Sequence, residues 1–181
     1  MIAIHSGDAV MKVDTEHGGK IVSLAVAGKE LIAQHVKPEM PKDDALRKPD
    51  DQRPPMRRMG FFENMNDFGS TFWPSPQSEW NWPPIATYDS RPYTAVSNGE
   101  ATVLRSGTDG KYPYVFEKVF KPLGDGAFSI TYTICNESDS SVSVAPWEIT
   151  RVASGGRIFF DAPQLRPEGE VDFKTMSAPS G

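Results

Sequence analysis

Residues 127–152 read AFSITYTICNESDSSVSVAPWEITRV and carry the longest strand patterns in the chain. In Ala127–Asn136, large apolar and aromatic residues alternate with Ser and Thr, which is the period of a half-buried strand. Glu137–Ser140 supplies four polar turn residues, and Ser141–Val152 then predicts a second long strand. Connections as short as this one favour antiparallel over parallel strands. This stretch therefore predicts an antiparallel β protein.

Shorter segments elsewhere in the chain repeat the strand pattern. The hairpin dipeptides Gly28-Lys29 and Asn98-Gly99 mark two of the turns between them. No segment keeps helical spacing over three turns, and 15 Gly and 16 Pro argue against a helical bundle. We expect an all-β chain whose antiparallel strands form a β-sandwich. The further predicted strands are Ala9–Val13, Lys20–Ala27, Glu30–Ala33, Tyr93–Ser97, Glu100–Arg105, Val115–Phe120 and Arg157–Asp161.

Length and charge narrow the class of protein. The chain has 181 residues, enough for one domain with a buried core. Its formal net charge is −5 and it has no long basic stripe, which disfavours nucleic-acid binding. No apolar run reaches the roughly 18–20 residues of a membrane helix, so no membrane span is expected. The N-terminal residues show no signal-peptide pattern, which leaves a cytoplasmic protein and an exported one with its signal removed as alternatives.

The sequence predicts neither a cofactor nor a transition-metal site. A lone Cys135 cannot form an intrachain disulfide or a multi-cysteine zinc site, and its place in a strand pattern predicts a small, buried or half-buried side chain. The glycine pairs lack the spacing and the helix of a phosphate-binding loop. Calcium binding by loop carboxylates stays open.

Two segments break the strand pattern. Residues 36–60 are charged and proline-rich with little to bury, so we expect a long surface loop there. Glu63–Pro84 reads ENMNDFGSTFWPSPQSEWNWPP and combines three Trp with four Pro. Since proline fixes φ and has no N–H to donate, we expect this stretch to be an irregular loop.

The tryptophan segment has the composition of a carbohydrate site. Sugars present apolar C–H faces that stack on indole, and hydroxyls that bond to carboxylates, amides and guanidinium groups. An alternative is that the Trp-Pro pairs cap the core, with each indole N–H bonded to a backbone carbonyl. The candidate sugar-binding residues are Trp73, Trp80 and Trp82 for stacking, and Asn66, Asp67, Gln77 and Arg151 for hydrogen bonding.

Several segments resemble galactose mutarotase-like (aldose 1-epimerase-like) proteins. His17–Leu24 and Ala27–Ile32 are similar to the opening strand and hairpin of that superfamily. Phe72–Pro84, together with Ala145–Arg151, resembles a bacterial branch of it, and the resemblance touches most of residues 9–160. It implies a partial supersandwich of antiparallel strands that binds a sugar or glycan.

Two departures separate the chain from the sugar epimerases of that superfamily. Those enzymes carry a His as general acid after the Asn-turn strand, whereas Ala145–Glu148 contains none. Their general-base carboxylate lies late in a longer domain, so residues 1–181 look like the N-terminal part of such a domain. Either the chain pairs with a second copy through exposed sheet edges, or this version is naturally short.

Glu148 is the candidate catalytic residue. A sugar 1-epimerase needs an acid and a base on opposite sides of the ring, and Glu148 can serve as base if its carboxylate is partly removed from water. The alternation of a strand places Glu148 and Thr150 on one face and Trp147 and Arg151 on the other. A simpler alternative makes Glu148 a cross-strand ion-pair partner of Lys118 or Arg105.

Three functions therefore stand side by side. A carbohydrate-binding β-sandwich without demonstrated catalysis leads, because it needs only the Trp-rich segment. An active sugar 1-epimerase would need a partner for Glu148. A protein-interaction or assembly module would use the same Trp residues as interface anchors.

Overall fold

The structure is a computed structural model that describes residues 1–34, 68–81 and 83–152. These residues form ten strands, a 3₁₀ helix at Gln77–Glu79 and a one-turn helix α1 (Ala86–Asp89). Neither helix in the described ranges is long and apolar enough to cross a membrane. The strands are β1 (Ile2–Ser6), β2 (Ala9–Asp14), β3 (Lys20–Val26), β4 (Lys29–Glu30), β5 (Ser70–Ser75), β6 (Thr94–Ser97), β7 (Thr102–Arg105), β8 (Tyr114–Gly124), β9 (Ala127–Asn136) and β10 (Ala145–Thr150).

The described strands pair into three sheets with the orders β1-β2-β3-β4, β6-β7-β8-β9 and β10-β5. Every pair of strands is antiparallel. The longest pairing joins β8 to β9, from Tyr114 opposite Asn136 to Gly124 opposite Ala127. The prediction of an all-β, antiparallel protein is confirmed.

Several strand boundaries follow the sequence pattern closely. β9 covers Ala127–Asn136 as predicted, and the predicted Asn98-Gly99 turn joins β6 to β7. There the Asn98 side chain accepts hydrogen bonds from two backbone N–H groups that follow it. The turn between β3 and β4 lies one residue earlier than predicted, at Ala27 and Gly28, which both have positive φ. β10 is shorter than predicted, because residues 141–144 approach it without joining the sheet.

The expectation of an irregular loop is wrong for Ser70–Ser75, which form strand β5. The pairing of β5 with β10 puts Pro74 opposite Pro146, so the missing N–H groups of both strands coincide at one rung. The register continues on either side of that rung, with Trp73 opposite Trp147 and Ser75 opposite Ala145. The antiparallel register is therefore continuous through the rung that contains both prolines.

Two other elements were not predicted. β1 pairs with β2 along its whole length and buries Ile4 and Ser6. α1 follows the Pro83-Pro84 pair and buries Tyr88 and Asp89. The predicted loop at 36–60 and the predicted strand Arg157–Asp161 lie outside the described residues.

A single cluster of aromatic and aliphatic side chains joins the sheets. Phe72 of β5 stacks on Tyr132 of β9, with ring centroids 4.6 Å apart, and also contacts Phe116 of β8 at 4.8 Å. Tyr88 of α1 stacks on the other side of this group, 4.3 Å from Phe116. The β10-β5 pair is therefore anchored to the β6–β9 sheet through Phe72.

Cys135 is half-buried, as predicted.

Candidate functional site

The two described indoles of the tryptophan segment differ in exposure. Trp73 lies in β5 with 5% of its surface exposed, and its Nε1–H donates to Asp89 Oδ1 at 2.8 Å. Trp80 follows the 3₁₀ helix, is half-buried, and donates from Nε1 to the Pro74 carbonyl at 2.9 Å. The indole-to-carbonyl bond expected of a capping Trp is thus present at Trp80. Of these two, Trp80 offers more surface to a ligand.

Trp73 contacts two other indoles edge to face, and the three rings form a tryptophan cluster (Trp73, Trp80 and Trp147). The ring centroids of Trp73 and Trp80 are 5.9 Å apart, and those of Trp73 and Trp147 are 5.5 Å apart. Trp147 enters the cluster because β10 places it directly opposite Trp73. Sequence reasoning did not assign Trp147 to the site, although Ala145–Arg151 is one of the segments on which the family resemblance depends.

An open cleft lies beside Trp80 between the 3₁₀ helix and the loop before β8. Its cavity volume is about 110 Å³, the size of a shallow surface site. The Tyr112 hydroxyl bridges its two walls by donating to the Glu79 carbonyl at 3.2 Å, and the exposed Glu79 supplies its one charged lining residue among those described. We call this the aromatic cleft, and it is lined by Pro74, Ser75, Pro76, Glu79, Trp80, Tyr112, Pro113, Tyr114, Val142, Ser143 and Val144.

The polar residues predicted for the site do not all reach the cleft. Gln77 is exposed at the start of the 3₁₀ helix and is not among the residues lining the cleft. Arg151 lies with its Cζ 6.0 Å from the Trp73 ring centroid, and its guanidinium donates to Thr71 Oγ1 at 3.2 Å. Asn66, Asp67 and Trp82 lie outside the described residues. Among the candidates that are described, only Trp80 lines the cleft directly.

The predicted faces of β10 are confirmed. Thr150 donates from its hydroxyl to Glu148 Oε1 at 2.8 Å, which places these two side chains on one face. Trp147 and Arg151 both approach the Trp73 ring, on the other face. Glu148 thus lies on the face away from the tryptophan cluster.

Glu148 is exposed and does not form the ion pair offered as its simpler alternative. The Lys118 ammonium donates to two backbone carbonyls, and Arg105 pairs with Glu117 and Glu137. The cross-strand ion pair is therefore a wrong prediction. Exposure of Glu148 also means that the described chain does not remove its carboxylate from water among the Trp residues.

Sequence reasoning missed a buried charge cluster (Lys20, Asp89 and Lys118), whose members are 2%, 1% and 2% exposed. The Lys20 ammonium lies 3.4 Å from Asp89 Oδ1. Lys118 Nζ donates to the carbonyls of Gly18 at 2.7 Å and Gly19 at 3.2 Å. A signal was present in the sequence, because Lys118 occupies the inward position between Phe116 and Phe120 of the predicted strand.

Burial dominates the electrostatics of this cluster. Removal from water and, to a smaller extent, the nearby Lys20 charge lower the pKa of Lys118 to about 7 against the opposing effects of Asp89 and Glu148. Burial likewise lowers the pKa of Lys20 against the opposing effect of Asp89. Three rings surround the Lys118 ammonium, with centroids 5.0 Å (Tyr93), 5.8 Å (Tyr132) and 6.0 Å (Phe72) away.

No group of His, Cys, Asp or Glu among the described residues could hold a metal ion. Comparison of the chain with protein-family models, curated proteins and solved structures finds no match. The function of the chain is therefore inferred from the aromatic cleft and its surroundings.

Proposed function

We propose that this chain is a carbohydrate-binding β-sandwich of the galactose mutarotase-like type and that the aromatic cleft is its sugar site. The carrying observation is the placement of two half-buried rings, Trp80 and Tyr112, beside the exposed carboxylate of Glu79. An aromatic surface beside a hydrogen-bond acceptor matches the two chemical faces of a sugar, its C–H patch and its hydroxyls. The shared core of the sheets around Phe72 supports the sandwich arrangement.

The cleft favours weak binding of a single sugar unit. A volume of about 110 Å³ holds only part of a ring, so much of the ligand would stay in water. Glu79 is the charged residue among the described residues that line the cleft, which favours neutral over acidic sugars, although the Lys111 ammonium lies 4.9 Å from the Tyr112 ring centroid. A shallow site of this kind fits an affinity near about 1 mM, or roughly −4 kcal/mol.

The first experiment is proton NMR of free monosaccharides mixed with the protein, reading saturation transfer for binding. Truncating the indole in Trp80→Ala removes the stacking surface and should weaken binding at least about tenfold. Leu123→Ala is a matched control, because Leu123 is 59% exposed and does not line the cleft. Unchanged affinity in Trp80→Ala would remove the cleft as the sugar site. Concentration-dependent self-association without any sugar signal would favour an interaction module.

A sugar 1-epimerase is the second candidate, with Glu148 as its base. The Glu148 charge raises the pKa of the Tyr132 hydroxyl, after the larger effect of burial. Such an enzyme needs a proton acceptor and a proton donor on opposite sides of the sugar ring, and the exposed Glu148 carboxylate is the proposed acceptor. The same NMR samples report exchange between sugar anomers, and Glu148→Gln should abolish any acceleration. Acceleration that survives this substitution would sink the assignment.

A second copy of the chain is the protein partner we propose. All four residues of β6 are exposed, and Val96 within it is 64% exposed. Among the described strands β6 pairs only with β7, so its other edge presents backbone groups for pairing. Sedimentation velocity over a range of protein concentrations tests this. A single monomer species at every concentration would contradict it.

A further inference from the structure

The two oxygens of the Asp89 carboxylate are used unequally. Oδ1 accepts the Trp73 indole N–H at 2.8 Å and lies 3.4 Å from the Lys20 ammonium. Within the described part of the chain Oδ2 has no hydrogen-bond partner, although Asp89 is only 1% exposed. A buried carboxylate oxygen without a donor is costly, so it gains free energy whenever a donor approaches.

Lys118 is the buried amine that we consider as that donor, because its ammonium binds the carbonyl of Gly18, whose backbone lies against Asp89. Among the described residues its ammonium contacts two neutral carbonyls, those of Gly18 and Gly19, and no carboxylate lies within ion-pair distance. Asp89 nevertheless acts on Lys118 electrostatically. The Gly18 turn also lies against Asp89, because a Cβ on Gly18 would fall on the Asp89 carbonyl oxygen. Gly18 thus contacts both residues: its carbonyl accepts from the Lys118 ammonium, and its Cα lies against the main chain of Asp89.

Five ionisable groups face Lys118 from the elements packed around it. The balance of charge within the cluster changes with one proton, because Lys118, when charged, adds a second buried ammonium group to Lys20 beside the Asp89 carboxylate. The two tyrosines stay neutral, because burial raises the pKa of both well above the ordinary value. The facing groups are Lys20 from β3, Asp89 from α1, Tyr93 from the segment before β6, Tyr132 from β9 and Glu148 from β10.

We propose that Asp89 couples proton binding at Lys118 to the aromatic cleft. When Lys118 becomes charged, Oδ2 of Asp89 turns toward it, and the bond from the Trp73 indole to Oδ1 weakens. Trp73 contacts Trp80 edge to face at 5.9 Å, so a shift of Trp73 changes the wall of the cleft. The effect on sugar binding rests on the proposed function, whereas the coupling of Lys118 to Trp73 does not.

The test follows the indole N–H signals of ¹⁵N-tryptophan-labelled protein from about pH 5.5 to about pH 9, with Trp73→Phe to assign the Trp73 signal. The Trp73 signal should move along one titration curve. The ¹³Cε signal of Lys118 should titrate with the same midpoint. In Lys118→Met the movement of the Trp73 signal should be lost. A Trp73 signal that stays still, or a midpoint different from that of Lys118, overturns the coupling.

Two control variants separate Lys118 from other groups. Lys121→Met removes an exposed lysine of the same strand and should leave the titration unchanged. His17→Gln removes the imidazole next to Gly18 in the sequence. Loss of the Trp73 titration in His17→Gln would overturn the assignment to Lys118. If Lys118→Met does not fold, the comparison of Trp73 and Lys118 midpoints in the unmodified protein decides.

Sugar affinity measured at about pH 6 and about pH 8.5 completes the test. Different affinities at the two pH values, together with the Trp73 titration, support the link to the cleft. Equal affinities alongside a titrating Trp73 overturn that link. Absence of sugar binding at both pH values overturns the proposed function, and the indole titration, which needs no sugar, still decides the coupling.

Discussion

Replacing Lys118 by Met should flatten the pH dependence of stability. In the folded chain burial lowers the pKa of Lys118 from the ordinary 10.5 to about 7, whereas the unfolded chain returns it to water. Between these two values the unfolded state binds more protons than the folded state. The free energy of unfolding therefore rises with pH across this window.

The size of the effect follows from the shift. The pKa of Lys118 is 10.5 in the unfolded chain and about 7 in the folded chain, a difference of 3.5. Because one pKa unit corresponds to about 1.36 kcal/mol, the free energy of unfolding rises by about 5 kcal/mol over the whole window. From about pH 6 to about pH 9 the rise should be roughly 2–3 kcal/mol. Lys20 acts in the same direction below its ordinary pKa of 10.5, because its pKa is lowered too. Above about pH 10 the buried tyrosines Tyr93 and Tyr132 act in the opposite direction, since their raised pKa values make the unfolded state lose protons first.

Urea denaturation at several pH values between about 6 and about 9 measures this directly. Lys118→Met should lose roughly 2–3 kcal/mol of the rise. Met fills the space of the lysine stem but gives up the bonds to the Gly18 and Gly19 carbonyls, so its stability at any one pH is less informative than the slope. Lys121→Met should keep the slope of the original chain. An unchanged slope in Lys118→Met would refute the buried-amine explanation.

Two further predictions concern local structure, both read from urea denaturation. Gly18→Ala should cost clearly more than the ~1 kcal/mol of Gly99→Ala, because both glycines have positive φ but only at Gly18 would a Cβ fall on the Asp89 carbonyl; equal losses would contradict this contact. Glu30→Gln should cost about 1 kcal/mol near neutral pH, because the carboxylate accepts the Ser23 hydroxyl at 2.6 Å and the Leu24 N–H at 2.7 Å. Burial raises the pKa of Glu30, but these hydrogen bonds outweigh it and lower the pKa overall, so this contribution should disappear as the pH falls below about 4; a loss that persists in acid would count against it.

Local patterns predicted the strands but not their partners. The alternation in Ala127–Asn136 gave β9 to the residue, and the period of two gave the opposite faces of Glu148 and Trp147. The same local reasoning failed at Pro74, because β10, the strand that pairs with this segment, lies far along the chain. The sequence of one segment does not show which strand will pair with it, so the effect of a proline there cannot be judged from that segment alone.

The candidate site shows the same limit. Tryptophan content pointed to the right region, but the exposure of each indole depends on elements outside the segment. Trp73 is buried because α1 brings Asp89 to its N–H, and Trp80 borders a cleft because Tyr112 closes the other side. The lysines were visible at inward strand positions, yet only the folded chain supplies the carbonyls that bind Lys118.

The hydrogen bond from Lys118 to the Gly18 carbonyl joins residues 100 positions apart. It favours one register of β8 over its neighbours. A slip of one residue would bring Glu117 or Val119 to the position among the three rings. A carboxylate there would face two carbonyl oxygens, and a valine would leave both carbonyls without a donor. An apolar residue at 118 would tolerate such a slip far better. The buried amine therefore contributes to the choice of one strand alignment over its neighbours, whatever its net effect on stability.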